Sequence, residues 1–594
     1  MRLYDLSGIV LFSALLAILF ASSAGAYSTS IRAPAELSGH DAGVLTQIML
    51  NVTHGNGTVK INGPSIVNDS TLMSAQAAAQ YASVYVGVNE LHYNFTYTID
   101  NASNVSGPSG GLAMTLLAIS ALNHKPLYSN FTVTGTISPD GIVGEVGGVY
   151  DKSSAAKDAG MGYILVPYAP NSSFEYMLYY LVQQQFGITL VPVENVSQAL
   201  KYAYGNSTPT QLTYNITTDY YPESLGEANI ICLQCNASAF NSLANFTLNA
   251  TQSQVSKLGA EYTSLKAQME ALLNQYSLII QRGYLYSGSD LAFLEYTDAY
   301  TFANSEGITR QSATNLVDNV STYCSSLVAP ALTNTNYEYV VGGELRQSWG
   351  EIYAGYAKAT INQSQSTDDL ITAVSDISKS SGWCRASAEM YSIAVNLGGV
   401  PSQTSTSFNS NITKAINAVT STGLNLYSQS AINLYKEGDY AAALYASVYE
   451  RAFYGLPLNQ SMNRSIYSNL SSYNYGAWPT QFALQASFYM QEAGLTANST
   501  TSKGDVQAAY TTANLARMLS SANQYIYASL NYSTPVIGSN QQQASGQLAM
   551  LESQIQQLYL VLLLVLILLF IVLIVLLVLV LKRPSAQPVG RRRR

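Results

Sequence analysis

Between residues 30 and 205 the spacing of apolar positions changes repeatedly, and each change marks an element. Val44 to Val52 and Gly57 to Ile61 read as strands joined by a turn at His54-Gly55-Asn56-Gly57. Ser74 to Val86 is Ala-rich and reads as a helix, whereas Tyr93 to Ile99 alternates apolar and polar with period two, as a half-buried strand does. A small-residue helix is predicted over Gly110 to Asn123, a strand over Phe131 to Ile137, and a helix over Lys152 to Ala159. Tyr163 to Pro167 is a short apolar run that suits a strand buried on both faces, and Val196 to Tyr204 closes the region as a helix. The pattern is that of one α/β domain.

Residues 206–226 carry the Asn-Ser-Thr-Pro-Thr and Tyr-Tyr-Pro-Glu-Ser segments and read as a linker. From 227 to 550 the period becomes helical. Val255, Leu258, Tyr262, Leu265, Met269, Leu272, Tyr276 and Ile279 recur in steps of three and four. Charged flanking positions are scarce, which favours a packed helical hairpin over a coiled coil. Lys436 to Leu444 resembles the inter-helix turn of a tetratricopeptide repeat, without a clear recurrence. The region is expected to be all-α, with a repeat-like arrangement left open and no chemistry of its own.

Two apolar runs lie outside this pattern. Leu6 to Ala21, preceded by Arg2 and followed by Ala24-Gly25-Ala26, fits a signal peptide or an N-terminal anchor over residues 1–26. Residues 558–581 hold no charge, long enough for a tilted span of a ~30 Å hydrocarbon core. The basic tail at 582–594, with Lys582, Arg583 and Arg591 to Arg594, is expected on the cytoplasmic side. The expected localisation is therefore the membrane, with a single C-terminal span and the α/β domain extracytoplasmic. Leu548, Leu551, Ile555, Leu558 and Leu562 form a short heptad stripe into the span, which reads either as a site of self-association into a homo-oligomer or as a plain amphipathic stalk.

Composition sharpens that address. Charged residues are 10% of the chain against roughly 25% in ordinary soluble domains, while Tyr alone numbers 45. A net charge of -8 with no basic patch before the tail excludes nucleic acid as the expected partner. Sequons recur along the chain, among them Asn51, Asn94, Asn130, Asn236, Asn411 and Asn469, as in a glycosylated ectodomain. With four cysteines the chain is no disulfide-dense scaffold. Cys232-Leu233-Gln234-Cys235 becomes a zinc site only if Cys324 and Cys384 converge on it; outside the cytoplasm disulfides are the simpler expectation, with the pairing open. No metal and no cofactor is expected.

The candidate chemistry begins at Gly107-Pro108-Ser109-Gly110-Gly111, a G-x-S-x-G turn that exposes a serine hydroxyl ahead of a helix. A Gly/Ser-rich helix cap looks the same, so the motif alone is weak. A Ser-Asp-His order fails, because the last of the four histidines, His124, follows Ser109 too closely; His40, His54 or His92 leaves a His-before-Ser order open. Without a histidine, lysine is the usual substitute base for serine. Ser154-Ala155-Ala156-Lys157 matches S-x-x-K, but no K-T-G partner follows.

Downstream run Thr134-Gly135-Thr136-Ile137, a Gly-rich turn, and Gly147-Gly148-Val149-Tyr150-Asp151-Lys152 with Ala155-Ala156, then Ile164 to Pro167. With the Gly-Pro-Ser loop before it, this run resembles the proteolytic domain of Lon, and the serine-to-lysine spacing is the family's. The similarity extends upstream to Ser74-Ala75-Gln76-Ala77-Ala78 and downstream to Val191-Pro192-Val193, covering residues 30–205. Two departures stand out: Ser106 occupies a usually acidic position, and Gly110-Gly111 replaces Ala-Gly.

The expected fold is an α/β Lon-type proteolytic domain, implied by the resemblance, followed by an all-α ectodomain and a C-terminal transmembrane helix. The resemblance also implies Ser109 as nucleophile, Lys152 as general base, and Thr134 as a hydroxyl that helps position the lysine amine. The backbone N–H groups of Ser109 and Gly110 are the expected oxyanion donors, since Pro108 has none. A lysine at its ordinary pKa of ~10.4 is protonated at neutral pH, so Lys152 must be desolvated to serve as a base. The expected substrates are polypeptides. These 594 residues contain no G-x-x-x-x-G-K-[ST], so ATP-independent cleavage is expected, with a partner ATPase left open.

Overall fold

The computed structural model describes residues 27–36, 42–63, 69–100, 107–169, 173–213, 221–233, 237–419, 424–455, 458–496 and 499–532. The apolar runs at 6–21 and 558–581, the stripe from Leu548 to Leu562, the basic tail, His40, Ser106 and Cys235 lie outside them. Among the described residues no helix is long and apolar enough to cross a membrane.

The α/β domain opens on a four-stranded sheet. Strands β1 (Tyr27–Glu36), β2 (Gly43–His54), β3 (Val59–Asn62) and β4 (Tyr93–Ile99), with helix α1 (Asp69–Val86) between the last two, are arranged in the order β1-β2-β4-β3. β1 pairs with β2 from Tyr27↔Val52 to Glu36↔Gly43. The turn after His54 does connect β2 and β3, yet they are not neighbours. β4 enters between them, antiparallel to β2 and parallel to β3. Asn94 locks that arrangement, its side-chain oxygen accepting the Asn56 and Thr58 N–H groups at 2.9 and 3.1 Å. A local turn signal cannot report such an insertion, because the inserted strand lies some thirty residues away.

Helix α2 (Gly111–Leu122) runs through the centre of the domain, with eleven of its twelve residues buried. Ala75, Ala78, Ala79 and Ala82 of α1 are all buried against the same core, where small side chains allow close helix approach. The predicted strand over Phe131 to Ile137 is two strands, β5 (Phe131–Val133) and β6 (Thr136–Ile137). β6 pairs with β7 (Val143–Gly144), and helix α3 (Val149–Asp158) follows. β5, β8 (Tyr163–Pro167) and β9 (Thr189–Val193) form a parallel sheet in the order β5-β8-β9. Between β8 and β9 lies α4 (Ser173–Phe186), which the periodicity did not reveal because its apolar residues are not confined to one stripe. Helix α5 (Val196–Ala203) completes the domain, its Asn195 cap accepting the Gln198 N–H at 3.0 Å.

Residues 206–226 do not run free where they are described. Gln183 of α4 donates to Leu212 O and accepts its N–H, both at 2.9 Å, and Pro222 and Leu225 are buried. Helices α6 (Ala237–Val255), α7 (Thr263–Gln281), α8 (Leu285–Ser305), α9 (Arg310–Ser325), α10 (Tyr337–Gln363) and α11 (Thr367–Leu397) come next. They are followed by α12 (Thr406–Val419), α13 (Leu426–Glu437), α14 (Tyr440–Tyr454), α15 (Gln460–Ser468), α16 (Ala477–Leu495) and α17 (Ser499–Ser529). Short strands occur at Ser402–Thr404 and Leu530–Tyr532.

The heptad stripe breaks at Leu258, between α6 and α7, yet all eight of its residues are buried in one core. It is the inner face of a helical bundle. The turn near Tyr435 is a helical hairpin closed by left-handed Gly438. Cys324 and Cys384 bond each other across α9 and α11, with Cα atoms 5.4 Å apart. The α/β domain and the helical bundle belong to one compact unit, and α3 and α4 share a core with α7, α8 and α11.

Candidate active site

Ser109 sits on a 3-10 turn, Pro108–Gly110, that leads into α2. Gly107 precedes it at φ 126°, a backbone conformation that L side chains rarely adopt, so glycine is required there. Thr71 of α1 holds the loop from one side: its hydroxyl accepts the Gly107 N–H at 3.1 Å and donates to Gly107 O at 3.3 Å. From the other side, the Gly135 N–H donates to Ser109 O at 2.9 Å, and the Leu112 N–H to Gly135 O at 3.0 Å. The serine is therefore fixed between α1 and the segment after β5, and is itself half-buried. The positive end of α2's dipole lies at this turn, where the expected oxyanion donors Ser109 and Gly110 stand.

Lys152 lies one turn into α3 and is 3% exposed. Burial holds its amine below the ordinary lysine range, while Glu36, Asp368 and Asp151 each push it back up. Its Nζ donates to Gly147 O at 2.5 Å. Among the described residues no hydrogen bond joins it to Ser109. Both residues line the same cavity, of about 60 Å³, together with Glu36, Thr46, Thr71 and Met114. None of His54, His92 and His124 lines it.

Glu36, at the end of β1, is the site residue that sequence reasoning missed. Gly148, at φ 69°, leaves the space its carboxylate occupies, since an added Cβ would overlap Glu36. Burial pushes the Glu36 carboxyl up, Lys152 pulls it down, and Asp151 and Asp369 add to the rise. Asp151 turns away from the cavity, its carboxylate accepting the Thr367 N–H and hydroxyl at 2.9 and 2.7 Å. Thr134 is fully buried, its hydroxyl has no hydrogen-bond partner among the described residues, and it does not line the cavity with Ser109 and Lys152. Its backbone N–H pairs with Leu165 O at 3.0 Å. Among the described residues no group of three His, Cys, Asp or Glu could hold a metal ion.

The arrangement offers a half-buried hydroxyl, a desolvated amine and a helix N-terminus around one small cavity, the parts needed for nucleophilic attack on a carbonyl. Residues 43–206 match the family model described as the Lon protease (S16) C-terminal proteolytic domain. The Lon protease of Buchnera aphidicola subsp. Schizaphis graminum is 29% identical over 138 residues, 23% of this chain and 17% of that protein. Lon protease 2 of Bacillus subtilis is 24% identical over 191 residues, covering 30% of this chain and 33% of its own. The Lon protease of Clostridioides difficile is 33% identical over 132 residues, 21% and 16% of the two chains. The chain thus spans about a sixth to a third of the length of these relatives. Residues 43–206 are a Lon-type proteolytic domain.

Proposed function

We propose that the chain, with its Lon-type proteolytic domain at residues 43–206, is a serine endopeptidase in which Ser109 is the nucleophile and Lys152 the general base. The observation that carries this reading is that Ser109 and a buried lysine with a lowered pKa line one cavity. In the proposed cycle, neutral Lys152 takes the Ser109 proton as Oγ attacks the peptide carbonyl. The Ser109 and Gly110 N–H groups, at the positive end of α2, receive the oxyanion. The ammonium then protonates the leaving amine, and water, deprotonated by the same lysine, releases the acyl group. Activity accordingly rises with pH through the depressed Lys152 pKa and falls in acid. The Thr134 hydroxyl serves this reading if it reaches the amine once substrate is bound.

The chain is proposed to be held at the membrane by 558–581, with its folded part outside the cytoplasm, glycosylated, and self-associated next to the bilayer. ATP is not required in this scheme, because these residues carry no phosphate-binding loop; a partner ATPase is the alternative source of unfolding work. Unfolding a domain costs roughly 5–15 kcal/mol, so the substrates are polypeptide segments already extended or unfolded. One observation favours a second reading, a catalytically inactive Lon-like surface scaffold: Lys152 Nζ bonds Gly147 O rather than Ser109. Such bonds commonly tighten only when substrate is present.

The deciding experiment is labelling with a serine-directed fluorophosphonate, alongside cleavage of an unstructured polypeptide with and without ATP. Wild type should label and cleave at an ATP-independent rate, Ser109→Ala should do neither, and Lys152→Ala should be nearly inert. Wild-type activity in Lys152→Ala sinks the lysine role, and a silent wild type establishes the scaffold.

A further inference from the structure

The N-termini of α3 and α11 meet, and each is capped by a carboxylate from the other helix. The Val149 and Tyr150 N–H groups donate to Asp368 Oδ2 and Oδ1 at 2.6 and 2.8 Å. In return, the Thr367 N–H and hydroxyl donate to the two oxygens of Asp151. The exchange is unequal. α11 already has its own capping box, Ser366 with Asp369. α3 is preceded at its cap position by Gly148, which has no side chain to cap with. Its N-terminal N–H groups are satisfied from a helix more than two hundred residues later in the chain. The turn so held is the one that carries Lys152, whose own N–H closes the first helical bond onto Gly148 O at 2.9 Å.

We propose that Asp368 is a positioning residue for Lys152, so that the helical bundle completes the catalytic helix and the α/β domain alone holds only an unfinished site. This rests on the reading of Lys152 as the base. The groups around the pair are Glu36 on β1, Asp151 on α3, Asp369 on α11 and Tyr179 on α4. Asp368 therefore acts twice: it anchors the helix, and its charge opposes the desolvation that keeps the amine neutral. Burial pushes the Asp368 carboxyl up to about 7, against the pull of the two N–H bonds. Below that pH the carboxylate gains a proton and accepts less strongly, and Lys152, its pKa lowered by burial, also takes up its proton as the pH falls. The acid limb of activity should consequently be steeper than one proton allows.

The test uses the full chain with Asp368→Ala and Asp368→Asn, the latter keeping an acceptor oxygen without the charge. Fluorophosphonate acylation of Ser109 is followed against pH. Separately, the Lys152 amine is titrated by competitive acetylation read by mass spectrometry, which needs no catalysis. Asp368→Ala should lower the maximal acylation rate roughly ten- to a hundredfold, as misplaced groups do. Asp368→Asn, which keeps one of the two acceptors, should recover part of that rate, with a one-proton acid limb displaced to lower pH and Lys152 titrating lower. A merely structural role would depress the rate at every pH and leave both the limb and the Lys152 titration in place. If Asp368→Asn titrates Lys152 as wild type does, the proposal is overturned, whether or not Asp368→Ala folds. If Lys152→Met acylates at the wild-type rate, the base assignment fails instead, and the acetylation titration still decides whether Asp368 governs the lysine.

Discussion

In the α/β domain the consequential buried group is the Lys152 amine; in the helical bundle the buried ionisable groups are mostly carboxylates, alongside the guanidinium of Arg346. Burial lowers the pKa of Lys152. The same desolvation raises Asp290 to about 6, Asp298, Glu338 and Glu492 to about 7, and Glu295 to about 8. Both regions exclude water and so favour the neutral form, but neutrality lies on opposite sides of the pH scale for acids and bases. The proposed chemistry needs alkali relative to its lysine, while the bundle is most comfortable in acid.

The two regions use their few carboxylates alike. Ion pairs are rare: among the described residues only Lys358–Asp318 and Lys379–Asp376 approach within 4 Å, at 3.3 and 3.1 Å. Carboxylates go to helix N-termini instead. Glu338 on α10 accepts the Ala477 and Trp478 N–H groups at the start of α16, as Asp368 does for α3. A cap of this kind satisfies donors that burial would otherwise strand, and it does so without a second charge.

The largest expected effect comes from removing the amine that defines one side of the comparison. Lys152→Met should cut Ser109 acylation by about 10²–10⁴-fold, the usual worth of a general base. It should at the same time raise the unfolding temperature at neutral pH, because a depressed lysine costs stability at every pH below its unfolded value. A variant that lost both activity and stability would mean that Lys152 is held by its surroundings rather than strained by them.

A smaller effect tests the other side. Glu295 has a raised folded pKa, so its contribution is intact below the unfolded value near 4.5 and is lost as pH rises through about 8. Glu295→Gln should leave thermal stability at pH 5 unchanged and improve it by roughly 1–3 kcal/mol at pH 8 and above. Equal stability of the two proteins across that range would remove the opposition between the regions.

The smallest effect is expected at Gly110. A methyl group there would meet only Met114 Cε at 3.4 Å and Ile48 Cδ1 at 3.9 Å. Gly110→Ala, which restores the residue usual in the resembling family, should keep the acylation rate within about twofold, since a single flexible methionine can yield. A severe loss would show that the serine turn must move further than its resting packing suggests.

Some elements were legible from local pattern. Tyr93 to Ile99 and Tyr163 to Pro167 are strands with the expected bounds. The Gly-Pro-Ser loop and the Gly-Gly-x-x-x-Lys segment were recognisable as motifs, and the structure brings Ser109 and Lys152 to one cavity. Thr134 is different: its position in the strand-to-turn segment was recognisable, but where its hydroxyl points was not. Glu36 carried no motif at all. The only hint was Gly148, whose missing side chain makes room for it.

The amino-acid sequence by itself determined the periodicities, the small-residue frames around Ser109 and Lys152, the scarcity of charge and the two apolar runs. Each of these is a property of neighbours within a few turns of chain, and backbone sterics with solvent exclusion act at that range. Only the tertiary structure decided that β4 separates β2 from β3, that the Leu258 stripe is an inner bundle face, and that the Asp151 carboxylate meets Thr367. It also decided that a helix from one region is capped by an aspartate from the other. Those outcomes depend on pairing groups far apart in sequence, whose meeting is set by the burial of a shared core and the need to satisfy every buried N–H, and no local window contains both partners.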